Sequence, residues 1–380
     1  MIYLDNNSTT AVDEKVLEKM LPYFSQKFGN ASSVTHPFGW LAKDAVATAT
    51  EQVADLLHCD AQEIVFTSGA TEAINLAING VFEIYKRKGN HIITCKTEHK
   101  AVLDTCAALE KKGARITYLD VDKNGLVNLQ QLQKEISTNT ILVTVMYANN
   151  ETGCLQPIDK IAAITHAHSS IFMSDATQAV GKIPIDLMET GIDLMPFSAH
   201  KFYGPKGVGV LYVRRKKPRV ILAPSIFGGG HQHGLRSGTL NVPGIVGLGA
   251  ACALAKEEME QQGKRITAMR NQLEQGLIRL PNVAINGINA NRIFTTSNVC
   301  FKDIAAVDII NAIKMKIAVS TGSACTAEEQ NPSHVLSAMG LTEKEAYSAI
   351  RFSIGKFNTS DEIAETVSII SECVKRILGG

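Results

Sequence analysis

Between Glu63 and Val213 the chain alternates short apolar, β-rich runs with longer helical stretches, and this alternation limits its folds more than any other feature. The candidate strands are residues 64–67, 91–94, 115–119, 141–147, 171–174, 194–197 and 208–213. Stretches with helical spacing, among them 70–87, 101–112 and 158–167, lie between most of them. Runs that are apolar on both faces, joined by helical crossovers, indicate strands covered on both sides. The pattern predicts an α/β unit on a mainly parallel seven-stranded sheet.

On either side the pattern changes. Residues 13–27 and 38–58 read as two helices, with Asp13 placed to cap the first. Residues 245–280 read as largely helical. The last hundred residues read as strand 297–301, helix 305–315, strand 316–320, a polar loop, helix 333–339, strand 349–354 and helix 361–378, the order of a smaller α+β domain. With 380 residues, more than one domain is expected. The expected division is 14–258 for the large domain, with 1–13 and 259–380 forming the small one.

Composition removes several function classes. The formal net charge is +1, so no global field draws the chain to nucleic acid or to an anionic membrane. The basic run at 214–217 reads as a solvated turn. The 8 cysteines contain no Cys-x-x-Cys pair, and several sit in apolar runs, as suits a reducing compartment. No signal-like N-terminus or membrane-length apolar run is evident, so a soluble, cytoplasmic protein is expected. The Gly-x-Gly-x-x-Gly and Gly-x-x-x-x-Gly-Lys-Ser/Thr nucleotide motifs are missing.

In an open α/β sheet, ligands bind at the carboxyl ends of the strands, and the unusual residues fall there. Lys201 directly follows an apolar strand, where partial desolvation would favour a free amine able to attack a carbonyl; it could also extend from the turn into water. Ser198 and His200 beside it can donate to one anion. The segment 68–72 ends a strand and opens a helix, so Ala70 and Thr71 could cradle a phosphate, or Ser68 or Thr71 could merely cap the helix. Asp175 suits a protonated pyridine nitrogen or an N-cap role. His99 could stack on a flat ring and move protons, or simply begin a helix. Asn150 ends another strand, at a site or in a plain turn. All these residues at one edge of one sheet point to a phosphorylated aldehyde cofactor held on a lysine.

These blocks carry a family resemblance over nearly the whole chain. The segments at 3–6, 66–72, 97–100, 149–151, 175–178, 198–201, 236–239 and 322–326 resemble the cysteine desulfurases of the NifS/IscS type, fold-type I pyridoxal-phosphate enzymes related to class V aminotransferases. The resemblance implies pyridoxal 5′-phosphate as cofactor and L-cysteine as substrate. Lys201 looks like the Schiff-base lysine, His99 the ring-stacking acid–base, Asp175 the pyridinium partner and Gln178 the donor to the ring hydroxyl. Ala70, Thr71, Ser198 and His200 look like phosphate ligands, and Thr239 like one supplied by the other subunit of a homodimer. Asn150, also among the cofactor contacts, and Arg351 match residues that hold the substrate carboxylate.

Cys325 fits the nucleophile that becomes a persulfide and passes sulfur to an iron–sulfur scaffold or another acceptor protein; without the resemblance it would be an exposed loop cysteine. No intrinsic metal is implied, beyond transient iron–sulfur ligation through that persulfide. The loop to Asn331 looks long, like the family class with a mobile sulfur-delivering loop. The chain ends soon after its last helix, so docking through an extended tail is not expected. Other readings are a selenocysteine lyase on the same fold, an idle sulfur-relay subunit, and a zinc protein using His231 and His233, whose ligand spacing is poor.

Overall fold

The computed structural model describes residues 1–321 and 332–379, and in it the seven expected runs form one sheet. The spatial order is Ile64–Thr67, Gly209–Val213, Leu194–Ser198, Ile171–Met173, Thr140–Thr144, His91–Cys95 and Arg115–Leu119. Gly209–Val213 is antiparallel to both neighbours, and the other adjacent pairs are parallel. The reversal has a covalent cause: the connection at 199–208 is too short for a helical crossover. The remaining six strands point one way and deliver their carboxyl ends to a common edge.

Helices Ala70–Tyr85 and Lys100–Glu110 cover one face, burying Ile74, Leu76, Ile78, Val102 and Cys106 against Val65, Ile92 and Leu142. The other face packs Phe66, Ile93, Val143 and Phe172 against helices Pro37–Leu57 and Ile158–Ala167. Helix Val242–Leu277 is continuous over 36 residues. Its first half puts Leu248, Ala251 and Cys252 into that core. Its second half puts Ile266, Met269, Leu273 and Leu277 into another, with Leu4, Phe301, Ile309 and Phe352. The second core rests on an antiparallel sheet of Val283–Ile285, Thr296–Phe301 and Ala349–Ser353. Ile2–Tyr3 pairs with Ile317–Ala318, which brings the amino-terminal segment to the carboxyl-terminal one.

Some elements differ from expectation. The helix expected at 13–27 divides into Glu14–Met20 and Pro22–Ser25, because Pro22 cannot supply the amide that would continue the first ladder. Asp13 caps the first of them, accepting from the Lys15 amide. Helices Leu129–Glu135 and Glu343–Tyr347 and strand Val283–Ile285 were not expected. The second helix carries a readable signal, a reciprocal capping box between Thr342 and Glu345. No helix among the described residues is long and apolar enough to cross a membrane.

Candidate active site

A cleft of about 730 Å³ opens where the strand ends converge. One end is an anion cup. Helix Ala70–Tyr85 starts after Gly69 with no side chain capping it, so its first amides lack internal partners and carry the positive end of the helix dipole. Ala70, Thr71, Ser198, His200 and Lys206 line this end. The cup lies tight on the sheet: a Cβ on Gly209 would sit 2.6 Å from the Gly69 Cα and 2.6 Å from the Phe197 carbonyl oxygen. Glu72 steadies the turn, accepting from the Ser68 amide at 2.8 Å and pairing with Arg236 through both oxygens at 2.8 and 3.3 Å. Burial, followed by the Lys201, Lys206 and Lys182 charges, lowers His200 to about 4, so it faces the cup as a neutral imidazole.

Lys201 lies on the turn after Leu194–Ser198, and its Nζ donates to the Asn7 and Ser8 carbonyls at 2.8 and 2.7 Å. His99 caps helix Lys100–Glu110, its Nδ1 accepting from the Ala101 amide at 3.1 Å. That bond puts the proton of the neutral ring on Nε2. Burial holds this imidazole below its usual pKa, against the pull of Asp175. His99 begins the helix, as one reading had it, and the same residue also lines the cleft. Asp175 is buried, and one oxygen accepts from the Thr177 amide at 2.9 Å and hydroxyl at 2.5 Å. It has no cationic partner among the described residues, so a protonated ring nitrogen suits it. Gln178 donates to the Asn7 carbonyl at 3.0 Å and accepts from Lys182 at 2.7 Å.

Asn150 and Arg351 face the same cleft. Arg351 is 3% exposed, and its Nη2 reaches Asp5 and Ser8, both at 2.8 Å. Three contributions were missed. Asp5, Asn7 and Ser8 enter from the amino terminus. Lys206 adds a cation at the cup. His334 donates Nε2–H to the Glu98 carbonyl at 2.9 Å, while Ser333 bonds buried Glu151 at 2.5 Å. The amino-terminal segment was expected to join 259–380, but no local pattern put Asp5, Asn7 and Ser8 at the cleft. Thr239 is exposed and does not line this chain's cleft. Cys325 lies outside the described residues.

An uncapped amide cup, a strand-end lysine and a buried aspartate on a sheet with one reversed strand define a class of folds that comparison makes explicit. The chain belongs to the aminotransferase class-V family, whose model matches residues 2–365. Within it the similarity is to cysteine desulfurases of the NifS/IscS type. A cysteine desulfurase IscS from Anaeromyxobacter sp. is 50% identical over 99% of this chain and 93% of that protein. One from Histophilus somni is 48% identical over the same shares. Among solved structures, a NifS-like protein superposes with a TM-score of 0.92 at 39% identity, covering 99% of each chain. A protein described as SspA in complex with cysteine gives a TM-score of 0.83 at 38% identity, covering 94% of this chain and 100% of that one.

Proposed function

We propose that the chain is a pyridoxal-phosphate-dependent cysteine desulfurase that converts L-cysteine to L-alanine and leaves the sulfur on Cys325. The observation carrying this is one cleft that joins the Lys201 amine, the Asp175 carboxylate lacking a cationic partner, and the uncapped amide cup. The relatives' names point the same way. This donor set fits the cofactor. Ala70, Thr71, Ser198 and His200 would hold its phosphate, with Thr239 added from the partner subunit. Asp175 would hold the ring nitrogen, Gln178 the ring hydroxyl and His99 the ring face, with Asn150 beside them.

When bound, pyridoxal phosphate supplies an electron sink for the bonds of the substrate α-carbon. The chain's own groups do the rest. Lys201 accepts the α-proton, and Arg351 with Asn150 orients the carboxylate. Neutral His99 keeps a proton on Nε2 for transfer within the cleft. Cys325 thiolate forms a sulfur–sulfur bond as the substrate's carbon–sulfur bond breaks, and the carbon fragment takes up one proton at its β-carbon and regains one at its α-carbon to leave as alanine. The persulfide then passes to an iron–sulfur scaffold or another acceptor protein. We place the enzyme in the cytoplasm, with neither nucleic acid nor membrane as partner. The division into 14–258 and 1–13 with 259–380 draws support from the two separate cores; its second boundary falls inside the continuous helix.

The test is Cys325→Ala, assayed with L-cysteine and a reductant. The variant should keep the visible cofactor band yet release no sulfide and form no alanine above background. Turnover equal to wild type would overturn the assignment.

A further inference from the structure

Arg351 holds the unused capacity in the cleft. A guanidinium offers a carboxylate two parallel N–H pairs, Nε with Nη2 and Nη1 with Nη2. Both pairs use Nη2, and here both Nη2 protons are engaged, by Asp5 Oδ1 and Ser8 Oγ at 2.8 Å each. Nη1 reaches the Asn150 carbonyl at 3.2 Å. Nε is buried and has no hydrogen-bond partner among the described residues. A substrate carboxylate can therefore grip this arginine by a fork only if Nη2 gives up one of its acceptors.

We propose that Asp5 is an internal stand-in for the substrate's carboxylate, holding Arg351 until an incoming amino acid exchanges with it. This rests on the reading of Arg351 as the carboxylate ligand. Between the two acceptors on Nη2, the charged one leaves. Two carboxylates on one nitrogen repel, whereas the Ser8 hydroxyl can rotate and donate its proton to the newcomer. Asp5 holds Arg351 through one oxygen only, and its side chain is 19% exposed, so water can receive it. The exchange explains why an orphaned Nε is tolerated: it is the second donor of the Nε–Nη2 fork, kept for the ligand. It also makes affinity depend on the carboxylate, since a ligand without one cannot release Asp5. A buried cation left without its partner is costly, so removing Asp5 transfers that cost to the free enzyme, and the substrate repays it on binding.

Calorimetric titration of the holoenzyme with L-alanine and with ethylamine, which is alanine without its carboxylate, provides the test. In Asp5→Asn the affinity for alanine should rise about five- to tenfold, as expected for deleting one partly buried competing ion pair, and the KM for cysteine should fall in step. Ethylamine binding should stay as in wild type. Ser8→Ala should not tighten alanine. If Asp5→Asn is not recovered folded, Asp5→Ser removes the same charge. Arg351→Gln separates the two claims. Should it leave alanine binding untouched, the arginine assignment fails and the exchange with it. Should it weaken alanine while the Asp5 variants weaken alanine or leave it unchanged, the exchange alone is overturned.

Discussion

Lys182 is a buried and strongly perturbed cation. It is buried beneath Gln178, to which its Nζ donates. Burial first, then the Lys201 and Arg351 charges, lower it to about 7. Because the folded-state pKa lies below that of the unfolded chain, the unfolded state binds more protons between about pH 7 and pH 10, and wild-type stability rises across that window. Lys182→Met removes the titrating group. Its stability relative to wild type, from urea unfolding at a series of pH values, should therefore decline by about 2–4 kcal/mol as pH rises from 7 to 10. A pH-independent difference would contradict the shift. At this scale the sequence was legible where a polar side chain followed a strand directly: Lys201, His99 and Asp175 all lie within a few residues of a strand end and line the cleft, whereas Gln178 was named by resemblance alone. Lys182 was not legible, since its burial arises from the tertiary fold, in which it lines a cavity together with Phe202 and the long helix, rather than from its neighbours in the chain.

Among elements, the phosphate end depends on how closely the turn at Gly69 approaches strand Gly209–Val213. Gly209→Ala would place a methyl inside the Gly69 backbone contact, so either the cup or the strand must move. Overpacking of this kind costs about 1–3 kcal/mol, and the cup, at the sheet's edge, is the freer of the two to yield. The expected result is roughly tenfold weaker retention of pyridoxal phosphate, measured by equilibrium dialysis, with the far-ultraviolet spectrum preserved. Most of the strands were readable because burial on both faces leaves an apolar run, although the edge strand Arg115–Leu119 is only partly covered. Short helices such as Leu129–Glu135 were not, because two turns carry too little periodicity to stand out. The antiparallel direction of Gly209–Val213 follows only from the length of the connection before it.

For the whole molecule, Phe24, Phe28, Phe38, Trp40 and Phe227 are exposed. Phe28 stacks on Phe38 at 5.2 Å, and Ser32 nearby bonds His231, beside the exposed Thr239. Apolar surface of this kind marks an interface, which supports the homodimer proposed above. Sedimentation equilibrium should give twice the chain mass. Phe28→Asp with Phe38→Asp should shift it toward a single chain and weaken cofactor retention, as Thr239 is withdrawn; unchanged mass and retention would count against the shared site. The resemblance had implied a homodimer sharing Thr239, but the exposed aromatic surface was not legible beforehand, for an aromatic residue in the sequence does not declare whether its neighbours will cover it. The helix Val242–Leu277 has a mechanical consequence. At 1.5 Å per residue it is a beam some 54 Å long, rooted at one end in the first core and at the other in the second. The halves cannot swing on a slack strap, because any large rotation must flex the beam itself. The frame around the cleft is therefore stiff along that beam.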